Sequence, residues 1–203
     1  MSSAAPAVLL IAPAAARIHE DDVELEQRLD RDRVAELRAA LVAHAQAWGR
    51  KVAPDAFHVA DRDEPLSEEI SRVFAGHDGP LLIVWPWLAQ LRTEHASGAL
   101  GDLAAGCDVV LGPVIDGGLY LLGLARPLPA LLAVPEGRWQ GPDVMTTGFA
   151  IARDAGLEVG ILRAERALRS AADVRAALAD PLLPEEIGRI LGRGEGTGPG
   201  RAI

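Results

Sequence analysis

The residues of this chain best suited to chemistry are Asp116, Gly117 and Gly118, which lie between two apolar runs. Val109-Val110-Leu111 precedes them and a run from Leu119 to Leu124 follows, a pattern that predicts two buried strands joined by a tight loop. Glycine accepts positive φ and lets another group approach the backbone closely. The loop therefore has the means to present a carboxylate and backbone N–H groups to a polar ligand.

The same residues also have a purely structural explanation. Asp-Gly and Gly-Gly are among the commonest sequences of two-residue hairpin turns, whatever the protein does. Spacing alone therefore leaves a ligand-binding loop and a structural turn equally open.

The sequence around the loop resembles a known family. GPVIDGGLYLLGL, at residues 112–124, is similar to the GP-x-x-DGG-Y-Y-L-x-G-L signature of DUF2064 proteins, which are glycosyltransferase A-like. The resemblance extends over residues 8–178, with this motif as its specific part. It implies an α/β fold of three layers, α/β/α, with a mixed and mainly parallel sheet. It also implies transfer of a sugar or nucleotidyl group from a nucleotide diphosphate donor.

The resemblance suggests roles for several residues. Asp116 would bind the acceptor or a metal, while Gly117 and Gly118 would let the substrate approach the backbone. Arg17 stands where relatives carry a nucleotide-facing Lys-Thr-Arg-Leu motif and would do a similar job. Trp139 lies near the place of a tryptophan in relatives and would wall the substrate pocket. Each of the last two has a structural alternative, since Arg17 would also suit a solvated loop and Trp139 a lid over the core.

Magnesium or manganese is expected in this family, but the usual acidic ligands are missing here. The acids of relatives fall at Val84, Ala167 and Arg169. With Asp116 as the remaining carboxylate, magnesium would be weakly held, so we assign no metal site. Arg169 becomes a candidate for binding diphosphate oxygens, because its planar fork pairs with phosphate and stays charged. The alternative is an exposed arginine that precedes a helix.

Other residues near these positions are better explained by structure. Trp85 and Trp87 would suit stacking on a base or sugar, but core packing is the expected role. Ser170 and Asp173 fit the first turn of a helix as capping residues, which need no ligand.

Composition limits the possible partners. A formal net charge of −9, with Lys51 as the single lysine, argues against nucleic acid. No run reaches the roughly 18 apolar residues of a membrane span, and residues 1–16 lack the basic segment of a signal peptide. We therefore expect no membrane association and a cytoplasmic location. The single cysteine, Cys107, excludes an internal disulfide.

The length of the chain predicts one domain, over residues 1–191, and the glycine-rich composition of residues 192–203 predicts a disordered tail. Hydrophobic periodicity predicts the elements within the domain. Strands are expected at 7–11, 57–60, 81–84, 109–111, 119–124 and 158–162, and helices at 30–48, 66–74, 143–155, 170–179 and 184–191. Gly49 is expected to end the first helix, and residues 92–106 to form a helical connection broken at Gly98 and Gly101. The strands at 81–84 and 109–111 are expected to be neighbours.

Two functions remain open at this point. The first is a transferase that uses a nucleotide or nucleotide-sugar donor, with nucleotidyl transfer of the guanylyltransferase kind as a variant. The second is a catalytically degenerate protein that keeps the fold as a binding or interaction module, which the missing acids favour. The donor, the acceptor and the oligomeric state do not follow from the sequence.

Overall fold

The structure is a computed structural model and describes residues 5–12, 23–26, 28–60 and 64–192. Its strands are β1 (Ala7–Leu10), β2 (Phe57–Val59), β3 (Leu81–Val84), β4 (Val109–Pro113), β5 (Leu119–Leu124) and β6 (Val159–Ile161). Its α-helices are α1 (Val23–Glu26), α2 (Arg31–Val52), α3 (Leu66–Ala75), α4 (Thr93–Ala104), α5 (Pro129–Leu132), α6 (Val144–Asp154), α7 (Ala171–Ala179) and α8 (Glu185–Ile190). A short 3-10 helix spans Glu136–Gln140. Apart from Gly192, the predicted tail lies outside the described residues.

The strands form one mixed sheet in the order β2-β1-β3-β5-β4-β6, in which β5 runs antiparallel to both of its neighbours. The predicted strands β3 and β4 exist and are buried, but the expectation that they are neighbours is wrong. β5 lies between them, pairing Leu124 with both Leu81 and Val109. All six residues of β5 are buried, which a central strand covered on both faces requires.

Helices cover both faces of the sheet, which confirms the three-layer α/β/α architecture. On one face, Gly49 of α2 packs against Val8, and Gly98 of α4 packs against Leu162. On the other, Gly148 of α6 packs against Leu111, with α3 and α5 beside it. None of the described helices has both the length and the apolar character to cross a bilayer.

The carboxyl-terminal helices close a second apolar cluster against α2. Leu37 and Leu41 of α2 are buried there with Val174 of α7 and Ile187 of α8. The N-terminal cap of α2 is the Asp30 side chain, which accepts a hydrogen bond from the Arg33 N–H at 2.9 Å. This cluster supports the chain segment that leads from β6 into α7.

Three glycines differ from their predicted roles as helix breakers. α2 runs through Gly49 to Val52, and α4 is continuous through Gly98 and Gly101. At Gly49 a Cβ would lie 2.4 Å from the Phe57 ring, so this glycine permits a close approach of helix and sheet instead of ending the helix. Tertiary packing offsets the low helix propensity of glycine at this position.

Alanine substitutions at two helical glycines should have opposite effects. Gly49→Ala is expected to lower the free energy of unfolding by about 1–3 kcal/mol, because the added methyl overpacks against Phe57. Gly101→Ala should raise it by about 0.5–1 kcal/mol through helix propensity, since among the described residues no heavy atom from outside its own helix backbone lies within 4 Å of its Cβ position. Urea unfolding of both variants checks this, and a stabilising Gly49→Ala would show that helix and sheet are less tightly packed.

Asp108 joins three segments at the amino end of β4. Its Oδ2 accepts the Glu158 N–H at 3.1 Å, and its Oδ1 accepts a hydrogen bond from Arg126 Nη2 at 2.9 Å. The hydrogen bond from Glu158 and, to a smaller extent, Arg126 lower the pKa of this carboxyl, while desolvation opposes them. The ionised form of the Asp108 carboxyl is therefore more stable in the folded state than in the unfolded state.

This lowered pKa predicts a pH-dependent difference between wild type and Asp108→Asn. The stabilisation is fully present above the unfolded pKa of about 3.9 and is lost as the pH falls through the folded pKa. Urea midpoints from pH 7 down to pH 3 should show a wild-type advantage that shrinks below about pH 4. A difference in urea midpoint between wild type and Asp108→Asn that stays constant over this pH range would contradict the stabilisation of the ionised Asp108 carboxylate.

Candidate functional site

The loop that carries Asp116 lies at the carboxyl edge of the sheet. β1, β3, β4 and β6 run parallel and end at this edge, and residues 114–118 connect β4 to β5 there. Ligand sites of α/β folds lie outside the carboxyl ends of parallel strands. The segments that follow β3 and β6 supply the side chains around the loop.

The connection between β4 and β5 is longer than a two-residue hairpin turn. It comprises residues 114–118 and is closed by a hydrogen bond from the Val114 N–H to the Gly118 carbonyl at 2.9 Å. The register shifts between Gly112 and Pro113, just before the loop. The predicted pair of buried strands is confirmed, but Asp116 and its glycines do not form the minimal turn that was the structural alternative.

Both glycines of the loop have positive φ, +98° at Gly117 and +84° at Gly118. Their close approach is to this chain itself, since a Cβ on Gly117 would lie 2.7 Å from the Pro142 Cα. The Gly117 N–H donates to the Val114 carbonyl at 3.1 Å and the Gly118 N–H to the Gly141 carbonyl at 3.0 Å. The expectation that both N–H groups face a ligand is therefore wrong in this structure, because internal carbonyls accept them.

Asp116 is exposed on this loop, where its glycine neighbours leave it without side-chain cover. Its charge helps to raise the pKa of Arg166, for which the larger cause is the hydrogen bond to Asp173 at 2.9 Å. Asp173 is buried, and its Oδ2 accepts hydrogen bonds from the Ser170 N–H and hydroxyl and from the Arg169 N–H. Ser170 and Asp173 form a capping box for α7, which confirms their predicted structural role.

Arg169 reaches across to the Asp116 loop. Its Nη1 donates to the Gly117 carbonyl at 3.0 Å, and its Nη2 donates to Gln140 Oε1 at 2.8 Å. The guanidinium carbon lies 5.0 Å from the centre of the Trp87 ring. Arg169 precedes α7 as expected but is half-buried and not exposed, and its role in binding a ligand stays a prediction. The structure brings the predicted residues Arg169 and Gly117 into contact.

The two tryptophans after β3 are buried, in agreement with the expected core packing. Trp85 is 2% exposed and Trp87 is 7% exposed. The guanidinium carbons of Arg38 and Arg169 lie 5.2 and 5.0 Å from the Trp87 ring centre, at cation–π distance. The Trp87 indole N–H donates to Gln140 Oε1 at 2.7 Å, so this ring supports the loop from within the protein.

Two other candidate residues do not join this group. Trp139 is 3% exposed and packs in the core, so the alternative of a lid over the core describes its position. It lines a small apolar cavity with Leu122 and Leu131, with room for no more than about one water molecule. Arg17 lies outside the described residues.

A histidine–glutamate pair flanks the loop at β6. His95 Nδ1 accepts the Arg92 N–H at 3.1 Å, which places the proton of the neutral ring on Nε2, 3.3 Å from Glu165 Oε1. The Tyr120 hydroxyl donates to the Arg163 carbonyl at 3.3 Å, and burial raises its pKa. Both ring nitrogens of His95 thus have partners within the protein, which indicates a structural role.

The residues present do not fit the divalent metal that the family resemblance implies. Val84 and Ala167 are buried apolar residues, and Arg169 carries a positive charge. Asp116 is then the one carboxylate that remains among the residues the resemblance assigns to a metal. In the part of the chain that the structure describes, no three His, Cys, Asp or Glu side chains gather as a metal site would require.

Comparison of the sequence with protein families finds a match that includes the Asp116 loop. Residues 16–136 match a family described as an uncharacterized protein conserved in bacteria, DUF2064. The chain belongs to the DUF2064 family. No functionally curated protein matches it.

Solved structures show which fold the DUF2064 chain has. It resembles the crystal structure of a Desulfovibrio desulfuricans G20 protein, provisionally named a nucleotide-diphospho-sugar transferase, with a TM-score of 0.68, 18% identity and 94% coverage of both chains. Rv0371c from Mycobacterium tuberculosis H37Rv aligns with a TM-score of 0.44 and 14% identity, over 87% of this chain and 98% of the other. The first match confirms the glycosyltransferase A-like, or nucleotide-diphospho-sugar transferase, fold.

Sequence reasoning missed Gln140 and the hydrogen bond that Trp87 donates to it. Gln140 follows Trp139 in a segment identified only as a loop, and no sequence pattern marks it. Its side chain forms hydrogen bonds with Leu119, Arg169 and Trp87, which lie 21, 29 and 53 residues away along the chain. These residues meet only in the folded chain. The one available signal was Trp87, a large aromatic residue with an N–H that needs a partner when buried.

Proposed function

We propose that this DUF2064 protein transfers a sugar or nucleotidyl group from a nucleotide diphosphate donor bound at the carboxyl edge of the sheet. The observation that carries the proposal is the exposed carboxylate of Asp116, on a glycine loop whose Gly117 carbonyl accepts a hydrogen bond from Arg169. Arg166 is near enough for the Asp116 charge to contribute to its raised pKa. The shared fold supports a nucleotide-sugar donor. No step of the proposal involves a metal, since the side chains at the expected positions do not fit one.

The chemical demand of such a transfer is to neutralise the departing diphosphate. In glycosyl transfer the acceptor hydroxyl oxygen forms a bond to the anomeric carbon, and the bond from that carbon to the diphosphate oxygen breaks. The electron pair leaves with the nucleoside diphosphate, and the hydroxyl proton passes to Asp116. The fixed cations Arg166 and Arg169 take the place of a divalent ion in balancing the phosphate charge.

A second candidate is a binding or interaction module that keeps the fold without catalysis. A specific observation favours it: the N–H groups of Gly117 and Gly118 have partners within the protein, and Arg169 donates to protein acceptors. Such a site would hold its loop in one conformation and bind a nucleotide without turning it over. The two candidates differ in turnover, not in the place of binding.

Turnover is tested by release of UDP or GDP from a panel of UDP-sugars and GDP-sugars, with and without added acceptor sugars. Asp116→Asn keeps the size of the side chain but removes the proton acceptor, so it should lower the rate by about 10²–10⁴-fold. Asp55→Asn, at an exposed position in the turn before β2, is the matched control and should keep the wild-type rate. Equal rates for wild type and Asp116→Asn would refute the catalytic role, and nucleotide binding without release from any donor would establish the binding module.

A further inference from the structure

Gln140 is the residue at which the segments of the candidate site meet. It ends the 3-10 helix, and its side-chain oxygen accepts two hydrogen bonds, from Trp87 Nε1 at 2.7 Å and from Arg169 Nη2 at 2.8 Å. Its side-chain nitrogen donates to the Leu119 carbonyl at 3.1 Å. One amide therefore joins the segment after β3, the segment after β6 and the first residue of β5.

The backbone of Gln140 also limits the space around the loop. A Cβ on Gly118 would lie 3.2 Å from the Gln140 Cα and carbonyl oxygen, so the loop and the 3-10 helix are in direct contact. The neighbouring Gly141 carbonyl accepts the Gly118 N–H at 3.0 Å. The loop is thus held from two sides, by the backbone at Gly141 and by the Gln140 side chain acting through Arg169 and Leu119.

The chemistry at this position calls for both an acceptor and a donor. Trp87 and Arg169 offer only N–H groups, whereas the Leu119 carbonyl can only accept. Glutamine provides both functions on one planar group. A carboxylate would keep the acceptor and lose the donor, and a thioether would lose all three hydrogen bonds while nearly keeping the side-chain length.

We propose that Gln140 is a positioning residue, whose side-chain amide holds the Asp116 loop in the conformation that binds ligand. It acts through Arg169 and Leu119 and does not itself contact the ligand. The part of this inference that concerns the ligand rests on the proposed function. The part that concerns the loop conformation stands on the hydrogen bonds alone.

The loop part is tested by amide hydrogen exchange on the full chain, in wild type, Gln140→Met, Gln140→Glu and the control Gln46→Met in α2. In Gln140→Met the amides of Gly117 and Gly118 should exchange about tenfold faster or more, relative to the sheet amides of Ile83 and Leu122. Gln140→Glu should show a smaller increase, because it keeps both acceptor contacts. Gln46→Met should leave the ratio unchanged.

If Gln140 contributed only to overall stability, replacing it would speed hydrogen exchange at the loop and sheet amides together, because both would then exchange through global unfolding. That result, or loop amides that exchange as in wild type, would overturn the inference. The ratio of loop to sheet exchange corrects for any general loss of stability in the variants.

The ligand part is tested by calorimetry with UDP and GDP on the same proteins. Gln140→Met should weaken binding at least about fivefold, as expected for the loss of one or two hydrogen bonds, while Gln46→Met binds as wild type does. Equal affinities for wild type and Gln140→Met would overturn the ligand part. If wild type binds neither nucleotide, the proposed function and the ligand part both fail, and the exchange ratio still decides whether Gln140 holds the loop.

Discussion

Gly117→Ala is expected to lower the free energy of unfolding by about 2–4 kcal/mol, the combined scale of left-handed strain and overpacking. Gly117 has a φ of +98°, which an alanine adopts only with strain. The added methyl would also lie 2.7 Å from the Pro142 Cα, a backbone atom that cannot rotate away. The Asp116 loop must then move off the segment after the 3-10 helix, so the substitution should also disturb the candidate site.

Gly156→Ala is the control that separates strain from collision. Gly156 has a φ of +65°, but apart from its two chain neighbours no residue in the described part of the chain has a heavy atom within 4 Å of its Cβ position. Gly156→Ala should therefore lower the free energy of unfolding only through backbone strain, by about 1–2 kcal/mol. Urea unfolding of both variants gives the comparison, and equal costs would show that the loop does not press on Pro142.

Arg169→Ala should lower the free energy of unfolding by about 2–3 kcal/mol, the scale of two lost hydrogen bonds and a cation–π contact. The substitution leaves the Gly117 carbonyl without its guanidinium donor and removes one of the two donors to Gln140 Oε1. It also removes a guanidinium from the Trp87 ring. Equilibrium unfolding in urea, followed by tryptophan fluorescence, measures the loss.

Two further variants test whether the fork of Arg169 matters or only its charge. Arg169→Lys keeps the charge, but a single ammonium group lacks the planar fork that bridges two acceptors, so it should recover less than half of the loss. Arg175→Ala, an exposed arginine of α7, changes the net charge equally and should stay within about 0.5 kcal/mol of wild type. Full recovery by lysine would mean that charge alone explains the effect of Arg169.

The sequence was sufficient for most elements of the fold. The apolar runs at 81–84, 109–111 and 119–124 are the buried strands β3, β4 and β5, because a strand covered on both faces is continuously apolar. The spacing of Val34, Leu37 and Leu41 likewise predicts the buried face of α2. These features depend on local pattern, which a single sequence contains.

The order of the strands did not follow from the same pattern. Continuous apolar runs show that β3, β4 and β5 are buried, but they carry no information about which two are adjacent. Gly49 illustrates the same limit, since its role depends on the Phe57 ring across the helix–sheet interface. Long-range contacts decide both features.

The candidate site was predicted in part. The exposed position of Asp116 and the capping role of Ser170 and Asp173 follow from local sequence. The acceptor of the Gly118 N–H does not, because Gly141 lies in a segment distant along the chain. The contact of Arg169 with Gly117 spans 52 residues and was equally hidden.

The contact of Arg169 with the loop gives the proposed function its distinctive feature. A carboxylate at this position would leave room for a cation, whereas a guanidinium is itself a permanent cation. Arg169 donates to the Gly117 carbonyl, next to the exposed Asp116, while the nearby Arg166 is paired with Asp173. We therefore expect nucleotide diphosphates to bind without a divalent metal.

Calorimetric titration of the full chain with UDP and with GDP, in EDTA and then in manganese, tests this claim most directly. We expect at least one nucleotide to bind in EDTA, with an affinity that manganese leaves essentially unchanged and that Arg169→Ala weakens. Binding that requires manganese, or no binding of either nucleotide under both conditions, would contradict it.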